Sequence, residues 1–293
     1  MRLRAVPPTI AAFTVANLFR LLPLKAASGL GGWIGRTLGP FSRRHRIAVD
    51  NLQKALPDLT QAESAAVLAR MWDNLGRTMS EYVHLDAFDK LVAAHDDSIV
   101  FEGVDQLRAV LREHRRVIFV GAHVGNWELG PLINRLLNVE YVVVYHAIHE
   151  PYIDRLISKC RGKISRRLVD NKNGRKAMVA ALKKDASLCL LVDQKPRYGP
   201  LVPFFGRGVK TPTAPAKLAL RYGVPIVPIR VQRRGGVSFK ISVFPPIDVA
   251  EIGDDDAGVE KVTARINETL EGWVREDPAQ WHWVHRRWPD SVK

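Results

Sequence analysis

A histidine and a carboxylate, His123 and Glu128, stand five positions apart just after the apolar run from Val117 to Gly121. That run is typical of a buried strand. Polar residues that follow such a strand lie at its carboxyl end, where sites form in open α/β sheets. A histidine held by a carboxylate can act as a general base near neutral pH. The spacing therefore predicts that His123 is a base and that Glu128 lies near the imidazole, fixing its tautomer and stabilising the imidazolium.

The chemistry of such a base depends on what it activates. No Ser, Cys or Thr nucleophile stands beside the pair, which favours direct attack by a substrate hydroxyl over a covalent enzyme intermediate. Gly125 permits close backbone approach, so amides near it could hold a developing oxyanion. Two other interpretations stay open: a structural histidine at a strand end, and a metal ligand, although no third ligand stands at a telling spacing.

Three later segments add to this pattern. Asp193 to Arg197 follows the apolar strand Ser187 to Val192 and places charge at a second strand end. Val202 to Gly206 is an apolar loop that either lines an acyl channel or packs on the core as a turn. Val224 to Pro228 has prolines at two positions, which predicts a peripheral or irregular strand.

The order of elements defines the fold class. Strand patterns alternate with helical ones, which predicts an α/β domain with a largely parallel central sheet flanked by helices. Thr60 and Glu63 form a capping-box pattern that predicts a helix from there to about Val83. We assign residues 1–40 to an amino-terminal membrane-anchor segment and residues 41–293 to the α/β domain.

The amino-terminal segment is apolar from Ile10 to Phe19, and Arg20 and Lys25 then interrupt it. A spanning helix needs about 18 or more apolar residues, and this run is shorter. The region from Thr9 to Gly39 therefore favours an interfacial helical anchor with basic flanks. A short span and a buried helix remain alternatives.

The chain is strongly basic, with 44 Lys and Arg against 30 Asp and Glu, a net charge of +14. Such a surface attracts nucleic acid, anionic lipid, or an acidic protein or substrate. No helix-turn-helix, RNA-recognition or zinc pattern supports nucleic acid. The two cysteines, Cys160 and Cys189, indicate neither a disulfide framework nor a cysteine-based metal site, which fits a reducing compartment.

An ordered set of blocks across residues 13–289 resembles the lipid A biosynthesis late acyltransferases, the lauroyl and myristoyl transferases. These belong to the lysophospholipid and glycerol-phosphate acyltransferase superfamily. The chain differs from many members at residues 195–197, where they carry a further acidic residue or a histidine. The matching blocks are Phe19 to Leu24, Asn74 to Thr78, His123 to Glu128 with its Gly-Asn-Trp filling, Val192 to Gln194, Val202 to Gly206, Val224 to Pro228 and Trp283 to Trp288.

The resemblance implies a glycerol-phosphate acyltransferase-like fold and transfer of a fatty acyl chain from an acyl-carrier-protein thioester to a hydroxyl of a lipid A precursor. His123 would deprotonate that hydroxyl, supported by Glu128. No metal or redox cofactor is implied, since the donor chain is carried on phosphopantetheine. The expected partners are acyl-carrier protein, the lipid A precursor and an anionic membrane surface, at the cytoplasmic face of the inner membrane.

The expected substrate-binding residues are Asn126, Arg175, Asp193, Gln194 and Arg197. The two arginines are candidates for phosphate or phosphopantetheine contact, because a guanidinium binds phosphate in a bidentate manner. Alternative acceptors are another glycolipid, such as a phosphatidylinositol mannoside, or a lysophospholipid. A hydrolase, in which water replaces the acceptor hydroxyl, and a non-enzymatic basic protein are further alternatives.

Overall fold

A seven-stranded sheet forms the centre of the protein in the computed structural model, which describes residues 6–145, 147–148, 150–165, 167–170, 174–249 and 251–288. Across the sheet the strands run in the order β1-β9-β8-β2-β5-β3-β4. Every neighbouring pair is parallel except β8 with β9. The strands are β1 (Ile99–Glu102), β2 (Ile118–Gly121), β3 (Tyr141–Tyr145), β4 (Leu168–Asp170), β5 (Ser187–Leu191), β8 (Ile226–Gly235) and β9 (Ser238–Val243). The prediction of a largely parallel sheet flanked by helices is confirmed.

The two remaining strands, β6 (Leu201–Phe204) and β7 (Arg207–Lys210), pair with each other as an antiparallel hairpin outside the large sheet. Phe205, in the turn between them, has a positive φ of 53°, next to Gly206 at 67°. The ring of Phe204 stacks on that of Trp288, so the hairpin packs against the carboxyl-terminal part of the described chain.

The helices cover the sheet and include an amino-terminal group. They are α1 (Val6–Leu21), α2 (Leu24–Leu38), α3 (Arg43–Ala55), α4 (Gln61–Glu81), α5 (Leu85–Ala93), α6 (Val104–His114), α7 (Asn134–Leu137), α8 (Pro151–Arg161), α9 (Gly174–Leu182), α10 (Ala214–Tyr222) and α11 (Asp256–Glu276). The predicted capping box is present: Thr60 caps α4 and exchanges hydrogen bonds with Glu63. Among the described residues, no helix combines the length and the apolar character needed to cross a bilayer.

The proline-containing strand β8 is not peripheral, and that part of the prediction is wrong. It lies between β9 and β2. It pairs with β2 from Ile226 to Pro228, and with β9 from Ile229 onward. Pro228 therefore sits where β8 passes from one partner to the other, and its carbonyl accepts a hydrogen bond from the Phe244 amide. A proline is tolerated inside this sheet because its missing N–H falls at that change of partner.

Helices α2 and α4 approach each other closely through glycines. A Cβ atom built on Gly35 would lie 2.2 Å from the Trp72 carbonyl oxygen, and one on Gly76 would lie 2.1 Å from the Gly31 carbonyl oxygen. Only glycine fits such a backbone contact. Ala27 and Ser28 of α2 are fully buried. Residues 24–38 are therefore joined to the rest of the protein by direct helix packing.

This close packing predicts that two glycines of α2 respond differently to substitution by alanine. Gly35→Ala should lower the free energy of unfolding by about 1–3 kcal/mol, because the added methyl has no room. Gly29→Ala is the matched control, since a Cβ there meets nothing within 4 Å. It should leave stability unchanged or raise it by up to about 1 kcal/mol, the helix-propensity gain. Urea unfolding of the two variants checks this, and equal midpoints would contradict the close contact.

Candidate active site

Two neighbouring strands bring His123 and Asp193 together. β2 and β5 are parallel partners, with Gly121 opposite Leu191. Their carboxyl ends therefore meet at one edge of the sheet, and the residues that follow each strand become neighbours. His123 Nδ1 lies 2.7 Å from Asp193 Oδ1, and the His123 amide donates to Asp193 Oδ2 at 2.9 Å. The side chain and the backbone of His123 are thus both held by one carboxylate.

Asp193 is buried, with 4% of its surface exposed, and the Trp281 indole N–H also donates to it at 2.8 Å. Burial alone would raise the pKa of this carboxyl, but the charge of a protonated His123 and the hydrogen bonds from His123 and Trp281 outweigh it. The net effect lowers the pKa of Asp193 well below its ordinary value. Asp193 is therefore an ionised acceptor, and it favours a proton on His123 Nδ1. The predicted contact of Asp193 with a substrate stays a prediction.

Glu128 does not contact the imidazole, so the predicted orientation of His123 by Glu128 is wrong. The chain makes a tight turn after β2, in which the Val124 amide donates to the Ala122 carbonyl and Gly125 has φ +59°. A 3-10 helix, Trp127–Ile133, then begins. Because no regular α-helix joins the two residues, the five-residue spacing does not bring their side chains together.

Glu128 instead lies in a buried cluster of its own. Arg161 donates to both of its oxygens at 2.7 Å, and the Tyr82 hydroxyl and the Trp127 indole N–H also donate to it. Burial would raise the pKa of Glu128, but Arg161 and these hydrogen bonds lower it. Glu128 reaches His123 indirectly, since the Trp127 ring that it holds packs edge-on against the imidazole at 4.9 Å.

The buried ion pair carries a stability prediction. Arg161→Met should lower the free energy of unfolding by about 3–5 kcal/mol, because it leaves Glu128 buried and charged without its partner. The exposed pair of Arg108 with Asp105 supplies the control: Arg108→Met should cost less than about 1 kcal/mol. Guanidinium unfolding curves measure both. The account fails if the two substitutions shift the midpoint equally.

The turn that carries His123 is fixed by buried polar contacts. Asn126 is fully buried: its amide donates to Glu81 at 2.7 Å, and its oxygen accepts from the Glu128 amide. Glu81 also pairs with Arg233 at 2.7 Å. A substrate cannot reach Asn126 in this arrangement, so we assign it to positioning the turn and not to the predicted substrate contact.

The amides of this turn are already used. The His123 amide bonds to Asp193, the Val124 amide to Ala122, and the Gly125 amide to the Gln280 carbonyl at 3.1 Å. Gly125 is required sterically, since a Cβ there would lie 2.2 Å from the Val231 carbonyl oxygen. The expectation that amides near Gly125 hold an oxyanion is therefore wrong for these three groups.

Of the other predicted substrate-binding residues, one contacts His123 and two are exposed on the surface. The Gln194 amide nitrogen lies 3.3 Å from His123 Nε2, so Gln194 stands where a substrate would meet the base. Arg175 is exposed in the first turn of α9. Arg197 is exposed after β5, with its guanidinium over the ring of Tyr198. Within the described ranges, no group of three or more His, Cys, Asp or Glu residues is placed to hold a metal ion.

Four residues of the site were missed from sequence: Tyr82, Arg161, Trp281 and His282. They lie just after α4, at the end of α8 and just before the block Trp283 to Trp288, far from His123 in the chain. No local pattern marks them. The partnership of Asp193 with His123 did have a signal, because both follow apolar runs that read as parallel strands.

Comparison with known proteins identifies the family of this chain. The sequence model of the bacterial lipid A biosynthesis acyltransferases matches residues 7–290. The chain is 27% identical to a lipid A biosynthesis lauroyltransferase of Escherichia coli, over 92% of this chain and 89% of that protein. It is 26% identical to a lipid A biosynthesis palmitoleoyltransferase of the same organism, over 91% and 86%. It is 23% identical to a phosphatidylinositol mannoside acyltransferase of Mycolicibacterium smegmatis, over 93% and 88%.

The match spans nearly all of the chain, including the turn with His123, the loop with Asp193 and the carboxyl-terminal block. It confirms the resemblance drawn from the ordered sequence blocks. The chain belongs to the bacterial lipid A biosynthesis acyltransferase family and is an O-acyltransferase.

Proposed function

We propose that the protein transfers a fatty acyl chain from an acyl-carrier-protein thioester to a hydroxyl of a lipid A precursor, with His123 as the general base. The observation that carries this proposal is the pair of His123 with a buried, ionised Asp193 at the carboxyl edge of the sheet. Asp193 bonds to Nδ1 at 2.7 Å and orients the imidazole, which leaves Nε2, beside the Gln194 amide, as the nitrogen that can take a proton. Within the described chain, no hydroxyl or thiol of the protein bonds to His123, which favours direct attack by a substrate hydroxyl.

The reaction then runs in two steps. The acceptor hydroxyl gives its proton to His123 Nε2 while its oxygen bonds to the thioester carbon, and the carbonyl electron pair moves onto oxygen. Collapse of this intermediate restores the carbonyl and breaks the carbon–sulfur bond. The sulfur leaves with the electron pair and takes the proton from His123. Asp193 holds the proton on Nδ1 throughout and stabilises the imidazolium that forms between the steps.

Glu128 and Arg161 take a supporting role in this mechanism. Their charges balance each other in a buried cluster, so neither needs to exchange a proton with the substrate. Glu128 fixes the Trp127 indole, and that ring forms one wall beside the imidazole. Glu128 therefore supports His123 through packing and not through a direct hydrogen bond.

The donor and acceptor proposals rest on charge. The net charge of +14 suits an acidic carrier protein and a phosphorylated acceptor. Exposed Arg175 and Arg197 remain our candidates for phosphate or phosphopantetheine contact. No cofactor is needed for this chemistry, because the donor thioester is already activated.

We further propose that the amino-terminal helices rest on the cytoplasmic face of the inner membrane. Large apolar side chains are exposed along this part of the chain: Ile10, Phe13, Val15, Leu18, Leu21, Leu30, Trp33, Leu38 and Phe41. Exposed Arg36, Arg43, Arg44 and Arg46 lie beside the last of them. An apolar surface with a basic border is typical of interfacial binding to anionic lipid.

This membrane proposal predicts the behaviour of one side chain. Phe41 is 87% exposed, so Phe41→Asp should leave the fold intact and weaken binding to anionic vesicles about tenfold or more, since burying a phenylalanine contributes about 1.5–3 kcal/mol. Leu201→Asp, at another exposed apolar position, is the control and should bind as wild type does. Vesicle flotation measures both. Equal binding by wild type and Phe41→Asp would contradict the proposal.

A transfer assay tests the substrate proposal. Wild-type protein is given labelled acyl-carrier protein with either a tetraacylated lipid A precursor or a phosphatidylinositol mannoside. We expect transfer to the lipid A precursor. Transfer to the mannoside alone would favour the alternative supported by the mycobacterial relative, and thioester turnover that ignores both acceptors would indicate a hydrolase.

A further inference from the structure

A second imidazole, that of His282, lies beside the proposed base. Its ring centroid is 5.7 Å from that of His123 and 5.6 Å from that of Trp127. The His282 amide donates to the His123 carbonyl at 3.0 Å, and Val124 and Trp281 form an isolated bridge next to it. The backbone therefore fixes His282 against the same turn that carries the base.

The ring nitrogens of His282 have no hydrogen-bond partner among the described residues. Nδ1 is buried without one. His282 as a residue is partly exposed, and Nε2 is not among the fully buried unpartnered atoms, so Nε2 is the less enclosed of the two ring nitrogens. Because Nδ1 meets no acceptor, the single proton of the neutral ring is better placed on Nε2. A buried polar group left unpaired beside a reaction centre calls for a functional explanation.

His282 is also neutral under assay conditions. Burial, and next the nearby charge of a protonated His123, lower the pKa of His282 to about 3. A neutral imidazole is a hydrogen-bond donor that does not give up its proton during the reaction. It therefore cannot replace His123 as a base at neutral pH, but it can bind a group that gains negative charge.

The reaction needs such a donor, and the neighbouring groups are occupied. The amides of the turn from His123 to Gly125 bond to protein acceptors. The indole N–H groups of Trp127 and Trp281 bond to Glu128 and Asp193. Among the described residues named here around His123, this leaves the Gln194 amide and the His282 N–H as donors able to meet a substrate.

Resting on the proposed function, we propose that His282 Nε2–H donates a hydrogen bond to the thioester carbonyl oxygen as that oxygen becomes an oxyanion. The carbonyl pair moves onto oxygen when the acceptor oxygen bonds to carbon, and the His282 proton stays on nitrogen. The bond weakens again when the carbon–sulfur bond breaks. Since it strengthens with the developing charge, it lowers the barrier more than it tightens ground-state binding.

Two variants separate donation from packing. His282→Phe keeps a ring against His123 and Trp127 but removes the donor. It should lower kcat by about 10²–10³-fold with little change in the KM for the acyl donor, as expected for loss of one oxyanion donor. His282→Gln replaces the ring but restores an N–H, and should stay within about tenfold of wild type. His282→Leu gives a second donor-free variant should the phenylalanine fail to fold, as judged by circular dichroism and Tm.

The outcomes are distinct. Near-wild-type turnover by a folded donor-free variant would overturn the proposal, and so would an equal loss in His282→Gln, which would show a packing role. If wild type transfers to no acceptor, the proposed function fails separately. The same three variants are then compared on thioester hydrolysis, which forms the same oxyanion.

Discussion

Replacing His123 with alanine should abolish acyl transfer, with kcat/KM falling by about 10⁴-fold. The substitution removes the group that takes the hydroxyl proton and later protonates the leaving sulfur. Asp193 then remains as a buried carboxylate, 4% exposed, without its main partner. Transfer from labelled acyl-carrier protein, measured at substrate concentrations well below KM, gives the ratio.

A loss of folding must be distinguished from this loss of chemistry. The His123 side chain is only 16% exposed and packs against Trp127, so the Tm of His123→Ala is measured beside its activity. Added imidazole should restore part of the transfer if the missing group is a base. A folded His123→Ala that transfers at the wild-type rate would exclude the mechanism.

Replacing Asp193 with asparagine should lower kcat by about 10³–10⁴-fold while the fold is retained. Its oxygen can still accept from the His123 amide and the Trp281 indole. The new amide N–H then faces His123 Nδ1, which forces the imidazole proton onto Nε2. In that tautomer Nε2 has no lone pair for the acceptor hydroxyl, so the base is present but wrongly protonated.

The position of this proton gives a second readout. Nitrogen chemical shifts of the imidazole should report a proton on Nδ1 in wild type and on Nε2 in Asp193→Asn. Asp193→Glu is a useful companion, since it keeps the charge but misplaces it and should be intermediate in activity. If Asp193→Asn keeps the wild-type tautomer and rate, then Asp193 does not orient the base.

The sequence was sufficient to predict the sheet and to place His123 at its carboxyl edge, but not to predict which carboxylate contacts His123. Apolar runs predicted the strands β2 and β5, and each run is followed by a polar residue that lies in the site. Spacing along the chain then suggested Glu128, whereas the acid that contacts His123 lies 70 residues away. Local spacing cannot show which strands are neighbours, and it is the pairing of β2 with β5 that decides the contact.

The residues around Glu128 illustrate the same limit. Tyr82 and Arg161 meet Glu128 from the ends of two helices that are distant in sequence. From sequence pattern alone, a buried arginine at the end of a basic helix cannot be distinguished from a solvent-exposed one. Its burial against a carboxylate depends on how α8 packs against the segment that follows α4. Arg175 and Arg197 are both exposed, and their predicted phosphate contacts stay predictions.

The amino-terminal segment was predicted in part. The helical character of residues 9–39 follows from their apolar composition, and the structure has the helices α1 and α2 in this region. The contact of α2 with α4 depends on glycines at matching heights in two helices, Gly31 and Gly35 against Gly76. These glycines are therefore points of close packing between α2 and α4.

The most direct test of the central claim compares Asp193→Asn with Glu128→Gln in the same transfer assay. Both variants replace a buried carboxylate with an amide, so the chemical change is matched and only its position differs. If Asp193 orients the base, kcat falls about 10³–10⁴-fold in Asp193→Asn and less than about 100-fold in Glu128→Gln, which acts through Trp127 and stability. The reverse order, with Glu128→Gln the more damaged of two folded variants, would contradict the assignment of Asp193 as the partner of His123.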